Sequence, residues 1–167
     1  HGCVIFARML QKGELVSQDI ARALKYYKDG CDINEGEACY AMGVGHDKGE
    51  HLEKNPKTAL EYYRKGCDLL NGPSCGELGF RYLQGTGGVI KNSQEALRYL
   101  QDGCKLGHHM SCASLGDFYA EGNLVEKDFN KALELFETAC DIAHLPSCVK
   151  AGQLIVDGLI EDANYFK

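Results

Sequence analysis

The sequence predicts an all-α fold, a right-handed αα-solenoid of about four 36-residue disulfide-stapled helix-turn-helix repeats. Three observations carry this prediction. The first is cysteine spacing: Cys31 and Cys39, Cys67 and Cys75, Cys104 and Cys112, Cys140 and Cys148 form four pairs with seven residues between partners. First members are 36, 37 and 36 residues apart, and Cys3 lies 36 residues before Cys39. Self-similarity at a fixed period of this length marks a solenoid. The second is a set of columns in the same register. Ala23, Ala59, Ala96 and Ala132 are followed by Leu24, Leu60, Leu97 and Leu133, with Tyr26, Tyr62, Tyr99 and Leu135 three residues after the Ala. The third is a glycine ten residues past each second cysteine: Gly13, Gly49, Gly85, Gly122 and Gly158. The one extra residue of the 37-residue unit falls in Gly85-Thr86-Gly87-Gly88, where a surface loop accepts an insertion.

Each unit reads as two helices. The first is expected over 36–48, 72–84, 109–121 and 145–157, from just before the second cysteine to the recurring glycine. In GELGFRYLQG, Leu78, Gly79 and Tyr82 fall on one face at about 100° per residue, so that face is core. The small column Ala7, Gly43, Gly79, Gly116 and Gly152 costs helix propensity, about 1 kcal/mol per Gly against Ala, so close helix contact is the reason for it. The second helix begins near Asn55-Pro56, Asn92-Ser93 and Asp128-Phe129, where Asn or Asp suits the N-cap and Pro56 the first turn. It carries the Ala-Leu-x-Tyr-Tyr stripe, read as core, and ends at the first cysteine.

The whole of 1–167 is expected to be one solenoid: a truncated unit 1–30, units 31–66, 67–103 and 104–139, and a partial unit 140–167. The chain starts mid-repeat at His1. Its last unit stops at Asp162-Ala163-Asn164-Tyr165-Phe166-Lys167 before a second helix is complete. Further repeats are therefore expected in the full-length chain, with the partner of Cys3 eight residues upstream of it.

Residues eight apart in one continuous helix stand about 12 Å apart, beyond disulfide reach. A turn must intervene, and stretches such as Asp68-Leu69-Leu70-Asn71-Gly72-Pro73-Ser74 supply its chemistry between the second helix of one unit and the first of the next. Eight cysteines allow 105 pairings. The local one is favoured, because equivalent cysteines of neighbouring units should stand a helix spacing apart. Cys31–Cys39, Cys67–Cys75, Cys104–Cys112 and Cys140–Cys148 are then the bridges, with Cys3 unpaired. Zinc is the rival reading, but there is no C-x-x-C, and the His108-His109 pair occurs in one unit only; no metal or cofactor is expected. Disulfides require an oxidising compartment.

The net charge of −6, with both signs interspersed, argues against a nucleic-acid or anionic-membrane partner. No stretch approaches the roughly 18 apolar residues of a membrane helix, so no membrane insertion is expected. A solenoid exposes a long concave surface, and a protein or peptide partner held along it is the expected use. On the first helices, positions two, five and nine past the cysteine point away from the core face: Ala41, Val44 and Lys48; Glu77, Phe80 and Gln84; Ser114, Asp117 and Glu121; Lys150, Gln153 and Asp157. These columns vary between units while the core columns repeat, which suits a partner-reading surface and equally a solvated one.

Segments such as GCDLLNGPSCGELGFRYLQGTG, CASLGDFYAEGNLVEKDFNKALELFETAC and KALELFETACDIAHLPSC resemble the Sel-like repeats of the Helicobacter cysteine-rich proteins, across essentially the whole chain. The resemblance joins C-x₇-C, L-G-x-x-Y, the loop glycine and K-A-L at one period. It implies paired helices stacked as in tetratricopeptide repeats, a disulfide within each C-x₇-C, and export to the periplasm or medium. Mitochondrial intermembrane-space assembly factors for cytochrome c oxidase share such a repeat and give the alternative location. Many family members carry Asn two residues past the cysteine to hold a ligand backbone or terminal carboxylate. Here that column reads Ile5, Ala41, Glu77, Ser114 and Lys150, a departure from the clamp. Some relatives are described as penicillin-binding proteins or weak β-lactamases, which gives an enzymatic alternative with Ser147 and Lys150 as its only catalytic candidates, in a formal S-x-x-K. The S-D-N and K-T-G elements of such enzymes are absent, Lys57-Thr58-Ala59 failing at the glycine, and Ser74 and Ser111 hold the same column as Ser147.

Overall fold

A computed structural model describes residues 2–142 and 144–160. Among the described residues there are nine helices: α1 (Gly2–Lys12), α2 (Ile20–Asp32), α3 (Gly36–Lys48), α4 (Pro56–Asp68), α5 (Gly72–Gln84), α6 (Ser93–Lys105), α7 (His109–Glu121), α8 (Phe129–Asp141) and α9 (Leu145–Val156). Each packs on its predecessor and its successor, and α1, α3, α5 and α7 also touch in succession, so the first helices lie side by side along one face of an all-α solenoid. The expected tail Asp162–Lys167 lies outside the described residues.

Local chemistry sets the boundaries. Asp19, Asn55, Asn92 and Asp128 stand in extended conformation before the second helices, and their side chains accept from Arg22 N, Thr58 N, Gln94 and Glu95 N, and Lys131 N. Such caps contribute about 1 kcal/mol each. The second helices run one residue past the first cysteine rather than ending on it, to Asp32, Asp68, Lys105 and Asp141. At the other end of the first helices, Gly49, Gly85 and Gly122 take left-handed φ of 74°, 72° and 73°, where a Cβ is costly, and donate back to Gly45 O, Arg81 O and Phe118 O.

The core lies between the two rows of helices. Ala23, Ala59, Ala96 and Ala132 are fully or almost fully buried, and so are the large side chains four residues after them, Tyr27, Tyr63, Leu100 and Phe136. The column three after it, Tyr26, Tyr62, Tyr99 and Leu135, is only half-buried, so the aromatic stripe turns one residue further inward than the register of repeated tyrosines indicated. Three glycines of the small column are explained by these side chains, whereas at Gly152 nothing among the described residues stands within 4 Å of a Cβ, so close contact does not account for that member. A Cβ on Gly43 would stand 2.6 Å from the Tyr63 ring, on Gly79 2.7 Å from Leu100, and on Gly116 2.6 Å from the Phe136 ring.

The four disulfides join Cys31 to Cys39, Cys67 to Cys75, Cys104 to Cys112 and Cys140 to Cys148, with Cα separations of 4.6, 4.7, 4.7 and 4.8 Å. Each ties the end of a second helix to the start of the next unit's first helix, and Cys3 is unpaired. These bridges call for an oxidising environment. No helix among the described residues is long and apolar enough to cross a membrane.

Candidate functional site

Two depressions lie on the first-helix face and meet at Lys48. One, about 320 Å³, opens between α1 and α3. Its floor is Ala23, Leu24 and Tyr27 of α2 with Ala41 and Val44, and its rim carries Arg8, Glu37, Lys48, Glu50 and His51. Arg8 and Glu37 are hydrogen-bonded to each other as an ion pair. The other is shallower and lies between α3 and α5, where Lys48, Lys54, Pro56, Phe80, Gln84 and Thr86 surround a group of charges: Asp47, Glu77 and Arg81.

Arg81 is 7% exposed. Its guanidinium meets Asp47 Oδ2 at 2.6 Å and stands over the Tyr63 ring at 5.1 Å, while its Nε is buried without an acceptor. Burial pushes the half-buried Glu77 carboxyl above its ordinary value, opposed by Arg81 and reinforced by Asp47. Burial also raises the Tyr63 and Tyr40 hydroxyls, with the charge of Glu77 adding to both.

The structure divides the expected surface columns into three groups. Ala41, Val44 and Lys48 line the first depression, and Glu77, Phe80 and Gln84, with Lys48 again, line the second. Ala41 and Val44 are half-buried and also pack against core clusters, because the neighbouring first helices close over them. In the last two units Asp117 accepts from Lys150 Nζ at 2.5 Å, and Lys150 also stands 5.4 Å from the centre of the Phe136 ring. Gln153 donates to Asp157 Oδ1 at 2.7 Å, and Ser114 is half-buried while Glu121 is exposed. Arg8, Asp47, Lys54 and Arg81 were not among the sequence candidates. Arg8 had a findable signal, since it stands five residues past Cys3 in the column of Val44, Phe80 and Asp117.

Ser147 belongs to a capping column. Its side chain is fully buried and its hydroxyl lies 2.8 Å from His144 Nδ1. Ser111 repeats this with His108 at 2.8 Å, and Ser74 donates to Asn71 Oδ1 at 2.7 Å. Lys150, the other half of the S-x-x-K, is exposed and engaged with Asp117. A histidine row runs along the same edge: the His109 ring stacks on His144 at 5.3 Å and tilts against His108 at 5.7 Å. Among the described residues no three His, Cys, Asp or Glu side chains converge as a metal ion would need.

No curated protein sequence matches the chain. Among solved structures it is similar to a Sel1 repeat protein from Oxalobacter formigenes, with TM-score 0.81 and 26% identity, covering 91% of this chain and 62% of that one. It is also similar to Helicobacter pylori cysteine rich protein B, with TM-score 0.61 and 29% identity over 81% of this chain and 97% of that one. Against c5321, a protective antigen of uropathogenic Escherichia coli with an SLR fold, the TM-score is 0.65 at 18% identity, over 94% and 41% of the two chains, which shows the fold alone. The chain thus spans about three fifths of the Oxalobacter protein and nearly all of the Helicobacter one. The Sel1 repeat model matches residues 6–32, 36–69, 73–108 and 109–144, each match pairing a first helix with the second helix that follows it. The chain belongs to the Sel1 repeat family, in the cysteine-bearing form also seen in the Helicobacter protein.

Proposed function

We propose that this chain is an extracytoplasmic scaffold, secreted or periplasmic, that holds a segment of another protein along the face formed by its first helices. Helical repeats of this kind serve commonly as surfaces for protein association, and stacking neighbours leaves one continuous face rather than one pocket. The supporting observation is the pair of contiguous depressions meeting at Lys48. They are built from side chains that differ from unit to unit, on a framework whose core columns repeat. Four disulfides and the similarity to the Helicobacter protein support the location.

The test is capture of a partner from extracytoplasmic extract with the oxidised chain, followed by Val44→Arg combined with Phe80→Ala. Both side chains line the depressions and neither is fully buried. Binding should fall at least tenfold with helicity retained, whereas a partner held equally well by this variant would exclude the first-helix face.

A further inference from the structure

Each junction between units touches the next, and the nature of that contact changes along the chain. At the first two junctions the residue after the cap is glycine, and the following junction lays its main chain on it. A Cβ on Gly36 would stand 3.1 Å from Leu69 O and from Asn71 Cβ, and one on Gly72 2.8 Å from Leu106 O. At the third junction the same position is His109, the first residue of α7. Its ring stacks on that of His144, the N-cap of α9, with centroids 5.3 Å apart and planes 29° from parallel. The joint between the starts of α7 and α9 is thus made of two imidazoles.

Histidine is the side chain whose ordinary titration falls between about pH 5 and 8. The neutral form suits this joint. Both rings stand at the amino ends of their helices, where the dipole is positive, and neither helix has an acidic residue in its first turn. Two imidazolium rings so close would repel each other. Both rings are half-buried, so solvent protons reach them. The charged groups on the elements packed against the pair are Glu77 and Arg81 on α5, Asp102 and Lys105 on α6, and Glu137 and Asp141 on α8. Arg81 and Asp102 are committed to Asp47 and Arg98, and Asp141 is exposed, where water and salt screen it. Neighbouring His108 is held neutral until about pH 4 by burial and by the charge of His109, so it stays out of the range in which an ordinary histidine titrates.

From this geometry we infer that the α7–α9 joint is an acid-sensitive hinge: proton uptake by His109 and His144 unstacks the rings and lets α9 pivot away from α7 about the Cys140–Cys148 bridge. Helix α8 stays on α7, because its Phe136 ring occupies the space beside Gly116. The pivot breaks the Asp117–Lys150 contact, which joins the same two helices, and opens the C-terminal end of the first-helix face. The hinge does not depend on what that face binds. It is confined to the last two units, since the equivalent cap and following residue are Glu35-Gly36 and Asn71-Gly72 in the earlier ones.

The test is amide hydrogen exchange of the oxidised full chain, read by mass spectrometry at about pH 7.5 and about pH 5 and corrected for the chemical exchange rate. Protection of residues 149–156 in α9 should fall at least about fivefold at the lower pH, while residues 76–84 in α5 change by less than about twofold. His109→Gln combined with His144→Asn, which copies the Asn71 cap, should hold α9 within about twofold across the same range. His51→Gln, in a loop outside the row, should leave the response of the parent intact. Circular dichroism shows whether the double variant folds; if it does not, His109→Gln alone decides the matter, because one imidazolium has no partner to repel. Unchanged protection of α9 in the parent overturns the inference, and so does a response that survives these substitutions. A response abolished by His108→Asn but not by His109→Gln would also overturn it.

Discussion

Adding one methyl group at two positions of the same repeat column should change stability in opposite directions. At Gly79 a Cβ would lie 2.7 and 2.9 Å from Leu100 Cγ and Cδ2 and 3.1 Å from the Leu100 backbone nitrogen. Carbon atoms prefer about 3.5–4.0 Å, so α5 and α6 must separate or Leu100 must leave its rotamer. Leu100 is 0% exposed and has no free space to enter. Overpacking of this kind costs about 1–3 kcal/mol, and the better helix propensity of Ala returns about 1 kcal/mol, so Gly79→Ala should lose about 1 kcal/mol net. At Gly152 nothing among the described residues lies within 4 Å, so Gly152→Ala keeps only the propensity term and should gain about 0.5–1 kcal/mol. Urea unfolding followed by circular dichroism measures both. A gain at Gly79, or equal changes at the two sites, would refute the account of the small column as a helix-contact requirement.

Three further outcomes are expected. Replacing Cys104 and Cys112 together by Ser should cost about 2–3 kcal/mol by the chain-entropy argument for a loop this short, and tryptic mapping without reductant should show the other three bridges intact. His108 has its pKa pushed down to about 4, first by burial and then by the charge of His109. Its ordinary value is about 6.5, so as pH falls the unfolded chain takes up the proton first; the contribution is complete above about pH 6.5 and lost as pH falls toward 4. Allowing for solvent screening of this part-exposed ring, that loss is about 1–2 kcal/mol, and His108→Asn, which reproduces the Asn71 cap, should flatten the difference between urea midpoints at those two pH values. Ser147→Ala should cost about 1 kcal/mol through the lost bond to His144, and mass spectrometry after exposure to penicillin should find no adduct on parent or variant. An adduct on the parent that the variant lacks would instead establish the enzymatic reading.

Element boundaries were legible because the repeat offers several independent readings of one position. Asn55, Asn92 and Asp128 all announce the same cap, and Gly49, Gly85 and Gly122 the same left-handed exit. The pairing of cysteines followed from helix geometry. Legibility fell where a residue's role is decided by another helix. Counting around a single helix turns Ala41 and Val44 outward, yet the neighbouring first helices bring them into contact with the core. Arg81 sits six residues past its cysteine, where other units have Met9, Gly45, Phe118 and Leu154, a column that reads as apolar or small. Its burial depends on Asp47 from α3 and Tyr63 from α4, which no periodicity places beside it. Lys54 comes from a loop, where register carries no information about direction.

Because each bridge spans the junction between units and not the two helices within one, the oxidised chain has a particular response to tension. Pulling on the ends leaves the 31–39, 67–75, 104–112 and 140–148 loops closed, since the covalent path passes through sulfur. Only the stretches between bridges, such as 39–67 and 75–104, can be drawn out, about 100 Å of extended chain for each. An array on a surface or in the medium would therefore yield in equal, self-limited steps, each one helical hairpin long. In reducing medium every step would lengthen by the seven residues between partner cysteines that sulfur had bypassed.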